Sequence, residues 1–137
     1  RRSSDLSFGD LGETDLMEIG AGQHGEGGGV RVPMMSYKDT VATVAEALSK
    51  KLELKAGDKA FVMINGCGAT TMMEMLVLFK DTVEFLKAKG IEVVASMVGE
   101  ILTVQEAAGF QMNIAKWDEE MLRLWNTPCR TPAFSKE

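Results

Sequence analysis

Residues 16–32, LMEIGAGQHGEGGGVRV, set the only histidine of the chain, His24, among Gly20, Gly22, Gly25, Gly27, Gly28 and Gly29. An imidazole on a loop with few other side chains has three chemical roles open to it. A metal ligand needs partners, and only Glu26 stands near in sequence. A general base needs a cradle for its substrate, which glycines form by letting a small molecule approach the backbone. A nucleophile needs the neutral ring, the majority form at pH 7 for a side chain with a reference pKa of about 6.5. Spacing does not separate the last two roles. On composition alone, a solvated or structural loop histidine is the commoner outcome.

Other motifs carry less chemistry. Gly20-Ala21-Gly22-Gln23-His24-Gly25 matches G-x-G-x-x-G, the dinucleotide fingerprint. That fingerprint must open a helix whose N-terminus holds the pyrophosphate. Here the glycines run on to Gly29 and lead into VRVP, which has no helical period. A second loop, NGCGATT (65–71), joins a strand to a helix, and its amides with the Thr70 and Thr71 hydroxyls have the makings of an anion cradle. No lysine follows its glycines, so it is not a Walker A loop, and a tight strand-to-helix turn is the simpler reading. Cys67 has no second histidine to activate it and reads as a small buried residue. The run TTMMEM is core packing. One histidine and two distant cysteines, Cys67 and Cys129, exclude a structural zinc site, and no metal is expected.

These loops need elements to hold them. At 137 residues, 45% hydrophobic and 26% charged, one compact domain is expected. A net charge of −5 leaves no basic stripe for nucleic acid or an anionic membrane. No apolar run reaches membrane-spanning length, and two cysteines are too few for a disulfide scaffold, so reduced thiols in a cytoplasmic protein are expected. Residues 1–14 are polar and read as a linker or lead-in segment. Because the chain opens on RRSSDLSFGD without an initiator methionine, it is expected to be part of something longer.

DLMEIGAG predicts a short strand running into the glycine loop. SYKDTVATVAEALSKKLEL predicts an amphipathic helix, with Ser36 and Asp39 resembling a capping box and Val41, Val44, Ala45, Leu48 and Leu52 on its apolar face. KAFVMIN (59–65) is a central strand. TTMMEMLVLFKDTVEFLKAK is a second helix, capped by Thr71 and Glu74, with Met72, Leu76, Phe79, Val83 and Leu86 as its buried stripe and Gly90 as its stop. IEVVASMVG and FQMNIAKW are further strands. Asp118 caps a last short helix, EEMLRLW, which Pro128 ends. The pattern is α/β, in a two-layer arrangement: a mixed sheet of about four or more strands with helices mainly on one face. A mixed sheet is favoured because about ten residues join the last two strands, too few for a parallel crossover.

Three segments, MEIGAGQHGEGGG, MINGCGATTMMEM and KWDEEMLRLWNTPCRTPAF, come in the order and spacing of the substrate-binding (K) subunit of dihydroxyacetone kinase, which this chain resembles. The resemblance runs from about Asp15 to Phe134 and matches the C-terminal lobe of that subunit, so residues 15–137 are expected to be such a lobe, with the N-terminal lobe absent. Its most specific piece is G-x-H-G-E. The resemblance implies that His24 bonds covalently, as a hemiaminal, to the carbonyl of dihydroxyacetone, with Gly22, Gly25 and Glu26 forming the substrate loop. A covalent tether selects short ketoses over glycerol, which has no carbonyl.

The same resemblance implies several partners. A second histidine and an aspartate of the sugar site belong to the N-terminal lobe. No cofactor is expected on this chain, since ADP or ATP with Mg belongs to a partner L subunit. A phosphotransferase system is implied as the ultimate donor, and a cytoplasmic homodimer of the full subunit as the assembly. Where the family usually has Pro after the Glu, this chain has Gly27. Two relatives of the same lineage stay open: a non-catalytic dihydroxyacetone-binding transcriptional coactivator, and a kinase for a four-carbon ketose.

Overall fold

The computed structural model describes residues 16–22, 29–102 and 106–137. In chain order the elements are β1 (Leu16–Ile19), β2 (Val30–Pro33), α1 (Tyr37–Lys51), β3 (Lys59–Gly66), α2 (Met72–Ala88), β4 (Glu92–Gly99), β5 (Phe110–Trp117), α3 (Glu119–Trp125), β6 (Cys129–Arg130) and β7 (Ser135–Lys136).

The main sheet has the order β4-β3-β5, with β4 parallel and β5 antiparallel to β3. It is mixed, as expected, but the last two long strands are never neighbours. Their connection crosses the end of β3 instead, which a short link can do because neither strand pairs with the other. The remaining strands form two small ladders, β1–β2 and β6–β7, so the predicted strand at 16–19 stands apart from the main sheet. VRVP, which has no helical period, is the other half of its hairpin.

Alternation along β3 sets the layers. Ala60, Val62 and Ile64 are fully buried and meet Val41 and Ala45 of α1, Met75, Leu78 and Leu86 of α2, and Ile114 of β5 in one core. Each such large apolar side chain contributes about 1.5–3 kcal/mol on burial. The opposite face carries Phe61, which stacks on Trp117 at 4.8 Å and meets Trp125 of α3 edge-on at 5.3 Å. Two helices therefore cover one face, and the short α3 covers part of the other.

The helix ends follow their local chemistry. Ser36 Oγ accepts from the Asp39 amide, Thr71 and Glu74 form the reciprocal capping box, and Asp118 accepts from the Met121 amide. Gly90, at φ +75°, closes α2 in a Schellman motif: Ile91 N donates to Leu86 O at 3.0 Å and Gly90 N to Lys87 O at 2.9 Å. The buried stripe of α2 differs from expectation. Met75, Leu78, Thr82 and Leu86 face the sheet, while Met72 and Leu76 are 51% and 46% exposed and Phe79 and Val83 are half-buried. Of the predicted set only Leu86 is fully buried, because α2 carries two apolar stripes and the sheet takes the other one.

Candidate functional site

β3 and β4 are parallel and end together at Gly66 and Gly99. α2 starts just beyond β3. The α1 N-terminus lies beside it, since Tyr37 Oη donates to Glu74 Oε1 at 2.7 Å. The β1–β2 hairpin leads into α1 through residues 34–36, so it arises at this same end. In open α/β sheets, ligands bind outside the carboxyl ends of strands, and the 65–71 loop and the base of the β1–β2 hairpin both stand at this end.

Much of the polar chemistry of the strand-to-helix loop at this end is spent within the chain. Cys67 N donates to Gly109 O at 3.1 Å, Ala107 N to Cys67 O at 2.9 Å, and Ala69 N to Ala107 O at 3.2 Å. Thr70 Oγ1 donates to Gly109 O at 2.5 Å. Thr71 Oγ1 caps the Glu74 amide at 3.3 Å, and Thr71 N donates to Glu74 Oε2 at 2.8 Å. The Glu74 carboxyl is held below its ordinary range by the Thr71 amide first and the Tyr37 hydroxyl second. The Tyr37 phenol is raised, mainly by that bond to Glu74. A carboxylate at the start of α2 occupies the place an anion would take. The loop is a tight turn whose helix start is already occupied by the Glu74 carboxylate. The Cys67 thiol is pushed up by burial and by the nearby Glu100 carboxylate, the reverse of what activates a nucleophile.

Sequence reasoning passed over Asn65, which organises this end. It is fully buried on the last turnings of β3. Its Oδ1 accepts from Ile101 N at 2.6 Å and Leu102 N at 2.8 Å, and its Nδ2 donates to Leu102 O at 2.9 Å and Gln111 Oε1 at 3.0 Å. The segment after β4 is thereby stapled to β3, and Glu100 lies across Gly66, where a Cβ would fall 2.0 Å from Glu100 Oε1 and 2.9 Å from Met75 Sδ. The available signal was a polar residue closing an otherwise apolar strand.

The glycine hairpin contrasts with this pinned end. β1 and β2 pair from Leu16↔Pro33 to Ile19↔Val30, with Glu18 opposite Arg31 and paired to it at 3.8 Å. Residues 20–29 link the two strands. Gly20 stands at φ +86°, which side chains other than glycine rarely adopt. Gly29 sits under Glu18: a Cβ there would meet Glu18 Cγ at 2.5 Å and the Ala21 amide nitrogen at 3.0 Å. The two outer glycines are therefore explained by the turn and by close approach. Gly22 is half-buried at the start of the loop, while His24, Gly25 and Glu26 lie outside the described residues.

Comparison with known proteins bears on the whole chain. The Dak1 domain model matches residues 7–133. A subunit of Listeria innocua, "PTS-dependent dihydroxyacetone kinase 1, dihydroxyacetone-binding subunit DhaK", is 39% identical over 111 residues, which is 81% of this chain and 33% of that protein. An "L-erythrulose kinase" of Pectobacterium atrosepticum is 30% identical over 125 residues, covering 88% of this chain and 21% of that protein. A solved structure described as "Regulation of the dha operon of Lactococcus lactis" shares the fold at a TM-score of 0.73 and 24% identity, over 84% of this chain and 36% of the other. The chain spans about a third of the length of the Listeria subunit. With the family model covering nearly all of it, the chain belongs to the Dak1 domain family.

Proposed function

We propose that this chain is the C-terminal lobe of a dihydroxyacetone-binding subunit, and that His24 holds dihydroxyacetone as a hemiaminal for phosphorylation to dihydroxyacetone phosphate. The observation that carries the reading is the 39% identity to the Listeria subunit together with the G-x-H-G-E motif at Gly22–Glu26. In the bond-forming step a ring nitrogen of neutral His24 adds to the carbonyl carbon. The carbonyl π bond breaks, and the oxygen takes up the proton that the other ring nitrogen releases. No water leaves, so the whole ligand is retained. In this reading Gly22, Gly25 and Glu26 make up the substrate loop.

Phosphoryl transfer needs groups this lobe does not supply. A second histidine and an aspartate come from the N-terminal lobe, and the nucleotide, ADP or ATP with Mg, sits on an L subunit, with a phosphotransferase system as ultimate donor. The occupied start of α2 supports this division, because the Glu74 carboxylate already stands where a phosphate would meet the helix. The assembly is cytoplasmic, with a homodimer of the complete subunit.

The 30% identity to the L-erythrulose kinase favours one second reading, a four-carbon ketose as substrate. The test is turnover by the complete subunit carrying this lobe, combined with an L subunit and its donor. The proposal expects kcat/KM for dihydroxyacetone to exceed that for L-erythrulose, with no turnover of glycerol. A preference for the tetrose would establish the second reading. Binding of dihydroxyacetone without any turnover would contradict the kinase and mark a sensor.

A further inference from the structure

The hairpin that bears His24 stands outside the main sheet, on a ladder of its own, and residues 34–36 join it to α1. The first turn of α1 therefore sets where β2 enters the body of the molecule. That turn makes two side-chain contacts, one to the hairpin and one to α2. Thr40, 4% exposed, shares its hydroxyl between Ser36 O at 2.9 Å and Met17 Sδ of β1 at 3.9 Å. Tyr37, nearly one helical turn earlier, reaches the start of α2 and donates from Oη to Glu74 Oε1 at 2.7 Å.

The acceptor is fixed from its other side. Glu74 Oε2 accepts from the Thr71 amide at 2.8 Å and from the Thr71 hydroxyl at 2.8 Å, so the carboxylate is oriented by the capping box. Thr71 closes the turn whose Cys67, Ala69 and Thr70 are bonded to Ala107 and Gly109. Contacts thus run without a break from the pinned end of the sheet, through Thr71, Glu74 and Tyr37, to the first turn of α1. A hydrogen bond to a carboxylate is also shorter and stronger than one between neutral groups. The Tyr37 side chain is exposed, and its hydroxyl would find water if released, so the bond adds little to folding. What it fixes is direction.

We propose that Tyr37 is a positioning residue: its bond to Glu74 fixes the first turn of α1, and with it the seat of the hairpin, so that the His24 imidazole meets the sugar carbonyl. This inference rests on the proposed addition of His24 to dihydroxyacetone. In that reading the imidazole comes from this hairpin and further sugar contacts come from the other lobe, so adduct formation depends on how the hairpin is seated. A displacement on the order of 1 Å between reacting groups costs up to about 100-fold. Once the adduct has formed, phosphoryl transfer depends on groups outside this chain, so the seat governs KM more than kcat.

Tyr37→Phe, which removes the hydroxyl and keeps the ring, tests this in the complete subunit carrying this lobe, combined with an L subunit and its donor. KM for dihydroxyacetone should rise about threefold to tenfold, with kcat within about twofold of the wild type. The thermal midpoint should stay within about 2 °C, whereas a purely structural role would move the midpoint and leave KM alone. In a Glu74→Ala background the same substitution should change KM by less than about twofold, because the partner is already gone. An unchanged KM for Tyr37→Phe, or an equal rise in both backgrounds, would overturn the inference while leaving the His24 adduct standing. If carbonyl-labelled dihydroxyacetone forms no tetrahedral adduct on the wild type, the His24 reading fails and this inference falls with it.

Discussion

Two regions at the same end of this molecule solve opposite problems. The turn at 66–71 and the segment around 100–109 are bound to each other by backbone bonds, a capping box and the four hydrogen bonds of Asn65. The β1–β2 hairpin has a four-residue ladder, half-exposed strands and a weak hydrogen bond to the body, Thr40 Oγ1 to Met17 Sδ at 3.9 Å. The first region resembles phosphate-binding loops in sequence, but its Cys67, Ala69 and Thr71 amides and both threonine hydroxyls already have partners within the chain. The second spends its outer glycines on geometry and carries the one imidazole on the loop between. A glycine-rich strand-to-helix turn is therefore no evidence of a site until its amides are accounted for.

The largest effect that would sharpen this contrast is at Asn65. Asn65→Ala strips the Ile101 and Leu102 amides and the Leu102 carbonyl of their partners and empties a buried site, so unfolding free energy should fall by about 2–4 kcal/mol in urea titration. A loss comparable to that of an ordinary surface substitution would show that the staple is dispensable. Next comes Gly66→Ala, whose added methyl collides with the Glu100 carboxylate and the buried Met75 sulfur. A cost of about 2 kcal/mol is expected, and Glu100→Ala in the same chain should recover part of it; strict additivity in the double-mutant cycle would contradict the contact.

In the hairpin the effects are local and smaller. Gly20→Ala forces a left-handed residue and should cost about 1 kcal/mol. The loss should appear as faster amide exchange in β1 and β2 with exchange in β3 unchanged. Equal acceleration in β3 would mean that the hairpin and the core open together. The smallest effect is electrostatic. Glu74 has a lowered pKa in the folded state, so its contribution is present above its unfolded value and is lost as pH falls through the lower, folded one. Glu74→Gln should flatten the acid side of the stability profile between those two values, and an unchanged profile would show the carboxylate to be a bystander.

What could be read from the sequence tracks the range of the interactions involved. The caps at Ser36, Thr71 and Asp118 and the stop at Gly90 depend on residues three to five positions apart, and all stand where expected. The face of α2 did not follow, because its sequence is apolar on two sides and only the sheet decides between them. β2 was missed because its partner lies across a glycine run that interrupts any period. Asn65 was missed for a similar reason: its partners are 36 to 46 residues away, and Asn-Gly at a strand end reads as a turn. The family was legible through the three segments that resemble it, and the role of His24 rests on that resemblance and not on spacing.

The most direct measurement is ¹³C NMR of dihydroxyacetone labelled at its carbonyl carbon, mixed with the complete subunit carrying this lobe and with its His24→Ala variant. Addition to His24 converts that carbon from trigonal to tetrahedral. The account predicts a bound resonance in the tetrahedral range with the wild type and none with His24→Ala. A bound ligand that keeps its ketone resonance on the wild type, or an adduct that survives the loss of His24, would contradict it.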